Sequence, residues 1–226
     1  MIRFEKVTKA YGNGIVALDD LSFIVEKGEF VFLAGDCGAG KTTALKLLTM
    51  EESPTAGSIL VCGCDSRSRQ SSTIADLRRR LGIISQDFEL LPGRTAFENV
   101  AFAMRAIGTP ERFVAPRVFD ILAETGLAHK AEMHPGCLSG GEQWRLRIAR
   151  AMANDPHLLL ADDPFGNLDL DAAAEIFALL QTIHLRGTTI LAASHETEFL
   201  RSCRERTIHL RRGRLIETPE ESPAAY

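Results

Sequence analysis

The sequence predicts an α/β fold built around a phosphate-binding loop, and three observations carry the prediction. The apolar run Phe30-Val31-Phe32-Leu33-Ala34 reads as a buried strand. It leads through a glycine-rich stretch, Gly35 to Thr43, into Ala44-Leu45-Lys46-Leu47-Leu48, which reads as a helix. Further apolar runs of strand length, Leu81 to Ser85, His157 to Ala161 and Thr188 to Ser194, alternate with helical patterns. That alternation is interrupted from Asp87 to about Cys137 by apolar residues at helical spacing, which points to a helical subdomain of about residues 87–150 inserted into the core.

Taken in order, the first thirty residues alternate apolar and polar positions (Ile2, Phe4, Val7, then Leu21, Phe23, Val25) around the turn signal Gly12-Asn13-Gly14. They predict a small antiparallel sheet. After the loop helix, Ser53 to Gly57 breaks the chain and Ser58 to Val61 is a short strand. Ile74 to Leu81 is a short arginine-rich helix and Leu81 to Ser85 a strand closing on Gln86, a polar amide that on its own reads as a strand terminus. Helices follow over Thr95 to Arg105 and Pro116 to Thr125, separated by Gly108-Thr109-Pro110. A helix opening at Leu138 carries Trp144, Ile148, Ala151 and Met152 on its inner face. Ala172 to His184 is a helix, Ile208 to Ile216 a hairpin turning at Arg212-Gly213, and about residues 217–226 a flexible Pro- and Glu-rich tail.

Composition narrows the class. The chain has 226 residues, 45% hydrophobic and 25% charged, enough for one large core with an inserted subdomain. No apolar run approaches the roughly 20 residues of a membrane span, and the first residues lack a signal-peptide layout, so work at a membrane needs a partner. A formal charge of −4 supplies no basic field for nucleic acid, and the clusters Arg78-Arg79-Arg80 and Arg211-Arg212 read as solvated faces. Five cysteines, one of them inside the glycine loop, fit a reducing cytosol. Cys62 and Cys64 lack a second pair at zinc spacing.

The chemistry starts at Gly35-Asp36-Cys37-Gly38-Ala39-Gly40-Lys41-Thr42-Thr43. In this spacing glycines let amides curl round phosphate oxygens, Lys41 brings a point charge, the Thr42 hydroxyl ligates magnesium, and the helix start adds partial positive charge. A nucleoside triphosphate is the implied ligand. Ser139 with Glu142 three residues later is a capping box, and Gly140 and Gly141 leave bare amides at that helix start, a second phosphate site. Asp162 closes a buried strand, the usual place for a carboxylate that holds magnesium, and Asp163 beside it is placed to polarise the attacking water. Two Asp before a Pro also suit a plain turn. His195 at a strand end, taken alone, reads as structural, and Tyr11 as a core or surface aromatic.

Together these motifs resemble the ATPase domain of ABC transporters over nearly the whole chain. Gly35 to Thr42 matches Walker A, Gln86 the Q-loop, Leu138 to Gln143 the signature, His157 to Asp162 Walker B, Asn167 to Asp169 the D-loop, and His195 the switch histidine. The resemblance implies a RecA-like core, ATP and Mg2+ as ligands, and ATP hydrolysis. It implies that Tyr11 stacks on adenine with Val16 beside it, and that Gln86 and His195 sense magnesium and the γ-phosphate. It further implies a head-to-tail homodimer in which the Ser139 to Glu142 segment meets the partner chain's nucleotide. Phe88 to Val100 would face an integral membrane partner at the cytoplasmic face of a bacterial inner membrane. Within the family, Met1 to Glu5, Gln86-Asp87, Arg94-Thr95, Asn99-Val100 and Gly166 to Asp169 look most like the ATPases of cell-division complexes. Lipoprotein and macrolide exporters share them in part.

Three departures from the family pattern stand out. Asp163 stands where the family places a catalytic Glu, Trp144 replaces a polar residue after the signature, and Asp36 and Cys37 replace a neutral polar pair. Asp163 sets the alternative of a slowly hydrolysing, ATP-gated dimerisation switch beside the faster motor. A DNA-repair or chromosome-structural ATPase is disfavoured, because no coiled coil or zinc insertion separates Gln86 from Ser139.

Overall fold

The computed structural model describes residues 1–12, 14–67, 71–85, 89–166, 168–195 and 197–216. Two sheets organise them. The first has the order β2-β1-β4-β5, from β1 (Ile2–Ala10), β2 (Val16–Val25), β4 (Ala56–Val61) and β5 (Cys64–Asp65), all antiparallel. The expected N-terminal sheet is therefore completed from beyond the glycine loop: β4 pairs with β1 from Ile2 against Val61 to Thr8 against Ala56.

The second sheet has the order β10-β9-β3-β8-β7-β6, from β3 (Phe30–Ala34), β6 (Leu81–Ile84), β7 (Leu158–Asp162), β8 (Thr189–Ser194), β9 (Arg206–Arg211) and β10 (Arg214–Ile216). All neighbours are parallel except the terminal hairpin β9–β10. Alternation along each strand divides the core. Val31 and Leu33, Leu158 and Leu160, and Leu191 and Ala193 face a cluster that includes Leu47 and Leu48 of α1 (Lys41–Leu48). Phe32 and Ala34, Leu159 and Ala161, and Ile190 and Ala192 face a second cluster. It holds Trp144 and Ile148 of α5 (Gly140–Met152) and Ile176 and Leu180 of α6 (Leu170–Leu185). Helices on both faces are what makes these strands continuous apolar runs.

The interrupting block has its own core, in which α3 (Ala96–Ala106), α4 (Glu111–Glu124) and α5 contribute Val100, Met104, Val114, Ile121 and Leu146. Its second helix starts five residues before the expected Pro116. Val114 is fully buried, and this burial extends the helix past a proline that its sequence reads as a start; Pro116, which has no N–H to give the Arg112 carbonyl, is exposed, as is Arg112. Helix α2 (Ser71–Arg79) likewise begins three residues earlier than expected, and α7 (Thr197–Ser202) has no counterpart in the sequence reading.

Parallel strands bring their carboxyl ends to one edge. Along it lie, in sheet order, the glycine loop after β3, His195 after β8, Asp162 and Asp163 at β7, and Ser85 after β6.

Candidate nucleotide site

The glycine loop is braced from behind. Gly40 has φ 106°, and a Cβ there would lie 2.5 Å from the Ala17 carbonyl oxygen and 2.7 Å from Leu18 Cδ2, so only glycine lets β2 press this close. The Gly213 amide donates to the Ala39 carbonyl at 3.0 Å, tying the loop to the β9–β10 turn. Gly40 also caps α1 without a side-chain hydrogen bond, which leaves the first amides of the helix to an anion. The Lys41 ammonium donates to the carbonyls of Gly35 at 2.6 Å and Asp36 at 3.0 Å, so the cation lies across the loop it serves.

An open cavity of about 1200 Å³ covers this edge. Cys37, Gly38, Gly40, Lys41, Thr42 and Thr43 line it, together with Val16, Asp162, Asp163 and His195, residues drawn from four strand ends and one helix. Ile15, missed in the sequence, joins Val16 as an exposed apolar wall, since exposure of an isolated isoleucine has no local signature. Gly35, Asp36 and Ala39 shape the loop without lining the cavity, and Asp36 is exposed. Tyr11 also stays outside the lining. Its hydroxyl lies 3.4 Å from Thr43 Oγ1, and the Lys9 ammonium sits 5.0 Å from its ring centroid. Gln86, expected to contact metal and γ-phosphate, lies outside the described residues, as do Asp87, Phe88 and Asn167.

The acid site is strained. Asp163 has φ 53° and precedes Pro164, a combination that costs free energy and collects at functional positions. Aspartate is among the few residues that tolerate this region. The Asp163 amide donates to the Ala193 carbonyl at 2.8 Å, fixing β7 against β8 here, and its Oδ1 lies 3.0 Å from His195 Nδ1. The sequence separates these two by 32 positions and the sheet joins them. For magnesium, the Thr42 hydroxyl and the Asp162 carboxylate face one cavity. One or two hard oxygen donors are the set this ion takes when substrate phosphates supply the rest.

The signature segment lies elsewhere. Ser139 Oγ accepts from the Glu142 amide at 3.3 Å, Glu142 Oε2 accepts from the Ser139 amide at 2.9 Å, and Lys130 reaches Glu142 Oε1 at 2.6 Å. The Lys130 ammonium, then the Ser139 amide, hold the Glu142 carboxyl below the usual glutamate range. A Cβ on Gly140 would meet nothing within 4 Å and one on Gly141 only the Ala172 Cβ at 3.8 Å, and neither glycine has positive φ. Among the described residues no packing requires them, and glycine is a poor helix former. They open with Asp169 and Ala172 onto a second concavity of about 690 Å³ that shares no residue with the first.

Trp144 is buried in the core as expected, and Arg147 stacks over its ring at 5.0 Å, its Nε buried without a hydrogen-bond partner among the described residues. Burial pushes the Arg147 and Arg150 guanidinium groups down from their usual pKa. Arg150 Nη1 donates to the Glu89 carbonyl at 2.8 Å, a bond from α5 to the segment after β6 that no spacing announces.

Comparison with known proteins agrees with this geometry. The profile of the ABC transporter family matches residues 18–166. The cell division ATP-binding protein FtsE of Bacillus subtilis is 42% identical over 226 residues, covering all of this chain and 98% of that protein. FtsE of Escherichia coli K12 is 43% identical over 216 residues, 95% of this chain and 97% of that one. Among solved structures, the dimeric post-hydrolysis state of the ATP-binding cassette MJ0796 with ADP and Pi superposes with a TM-score of 0.83. It is 31% identical and covers 95% of this chain and 96% of its own. With a phosphate loop, a capped signature helix and full-length relatives of this similarity, the chain belongs to the ABC transporter family.

Proposed function

We propose that this chain is the ATP-binding and hydrolysing subunit of an FtsE/FtsX-like complex of bacterial cell division, dimerising on ATP to drive an integral membrane partner. The observation that carries the dimer is the pair of glycines, Gly140 and Gly141, which no packing among the described residues requires and which open on a concavity separate from the Lys41 loop. A second copy placed head to tail brings those amides to the nucleotide. Among the described residues no helix is long and apolar enough to cross a membrane, so the partner supplies the membrane contact. Residues about 87–150 form the helical subdomain in this reading, and the stretch to Val100 faces the partner at the cytoplasmic side of the inner membrane.

In the site, amides of the glycine loop and α1 hold the phosphates, and Lys41 leaves the Gly35 and Asp36 carbonyls for the β- and γ-phosphates. Tyr11 and Val16 take the adenine. Thr42, Asp162 and Gln86 would hold magnesium, which would supply charge neutralisation at the phosphates. The Asp163 carboxylate accepts the proton of the attacking water as general base, and His195 orients that carboxylate while reaching for the γ-phosphate. The short Asp163 favours the slow-turnover form of this function, a clamp that closes readily and opens late.

Co-purification tests the assignment. The tagged chain, extracted with detergent from its own cells, is expected to retain an FtsX-like membrane protein. Retention of a lipoprotein- or macrolide-exporter permease instead would replace the cell-division reading with the exporter one.

A further inference from the structure

Asp163-Pro164-Phe165-Gly166 closes a turn in which the Gly166 amide donates to the Asp163 carbonyl at 3.1 Å. Asp first, Pro second and Gly fourth are the residues such a turn prefers, and turn chemistry would be a sufficient reason for Gly166. The backbone does not ask for it, however, because Gly166 is absent from the positive-φ residues. Its environment does. A Cβ at Gly166 would find Asp163 Cγ at 2.9 Å and Asp163 Oδ2 nearer still, inside the 3.0 Å that Cβ contacts essentially never undercut. The next neighbour, the Asp163 carbonyl oxygen, is an ordinary 3.4 Å away. Gly40, by contrast, is pressed by the Ala17 backbone as well as by Leu18 Cδ2. Gly166 is the glycine of this site whose missing side chain is filled by the acid itself.

We propose that Gly166 is a positioning residue for ATP hydrolysis, its bare Cα leaving the space in which the Asp163 carboxylate stays paired with His195. The inference rests on the reading of Asp163 and His195 as the hydrolytic pair. Gly166 is buried, so the carboxylate is held between the turn below it and the imidazole at 3.0 Å.

Gly166→Ala tests it. The obstruction is the far end of one side chain, so the fold should survive while the carboxylate retreats on the order of 1 Å, a misplacement that costs roughly 10²-fold in rate. The expected result is a kcat about 10- to 100-fold lower with KM for ATP within about twofold. The 15N signal of His195 Nδ1 should move in the direction that Asp163→Gly moves it. In the Asp163→Gly background, which keeps φ 53° accessible and removes the carboxylate, Gly166→Ala should change neither that signal nor the melting temperature. Any loss of stability in Gly166→Ala alone should therefore be restored in the double variant. An unmoved His195 signal in Gly166→Ala, or equal effects of Gly166→Ala with and without the carboxylate, would overturn the positioning role alone. Full turnover in Asp163→Gly would instead remove the hydrolytic reading beneath it, and the spectroscopic coupling between 163 and 166 would remain.

Discussion

Asp163→Glu perturbs the chain where it departs from its family. The Asp163 carboxylate is anchored at 3.0 Å from His195 by a backbone fixed at φ 53° and tied to Ala193, so the acid cannot advance by moving β7. One added methylene carries it forward on the order of 1 Å, and positional error of that size is worth up to roughly 10²-fold in rate. Against this, glutamate lacks the tolerance of aspartate for left-handed backbone, a cost of about 1 kcal/mol that lowers Tm by about 2–4 °C in a chain of this length. Phosphate release at saturating ATP, with ATP affinity measured alongside, should show kcat raised about 10- to 100-fold and affinity within about twofold, because loop amides, Lys41 and Thr42 are untouched. A folded Asp163→Glu variant with unchanged kcat would refute the reasoning, and with it the proposal that the short acid limits turnover.

Lys41→Ala removes the cation that reaches the Gly35 and Asp36 carbonyls and should abolish productive ATP binding; calorimetric affinity within about twofold of the parent would contradict this. Glu89→Lys should weaken retention of the membrane partner while leaving basal turnover in place, and equal loss of both would mean misfolding. Glu98 is the poorer probe, because its carboxylate accepts from the Thr95 amide at 2.8 Å in a capping box and its reversal unravels α3 as well. Glu142→Gln should narrow the acid sensitivity of stability. The lowered Glu142 pKa contributes stability above the unfolded value of about 4.3 that disappears as pH falls through the folded value. The variant should be less stable than the parent at neutral pH, with the gap closing below about pH 4, and a constant gap in a urea titration would contradict it.

What the sequence disclosed is what local spacing encodes. The loop from Gly35 to Thr43, the Ser139 and Glu142 cap, and the acids ending β7 are each set by residues within a few positions of one another. The strands were readable because burial on both faces leaves them uniformly apolar. Contacts that the sheet creates were not readable. The Asp163 and His195 pair, the seat of the Asp163 carboxylate over Gly166, and the Arg150 bond to Glu89 join positions whose proximity depends on strand order and side-chain direction. The start of α4 differs from the sequence expectation for a related reason: Pro116 signals a helix start locally, and burial of Val114 overrides it. Thr95 and Glu98 repeat the Ser139 and Glu142 spacing, so that cap was present in the sequence and only its structural role changes the choice of probe.

The central claim is that the loop around Lys41 and the amides of Gly140 and Gly141 serve one nucleotide from two chains. Sedimentation of Asp163→Asn, in which loss of the carboxylate is expected to slow hydrolysis, measures it directly. Without nucleotide the 24.8 kDa chain should sediment as a monomer, and with ATP and magnesium at twice that mass. Ser139→Arg added to it should restore the monomer while ATP still binds. The same mass with and without ATP, or a dimer indifferent to Ser139→Arg, would contradict the account.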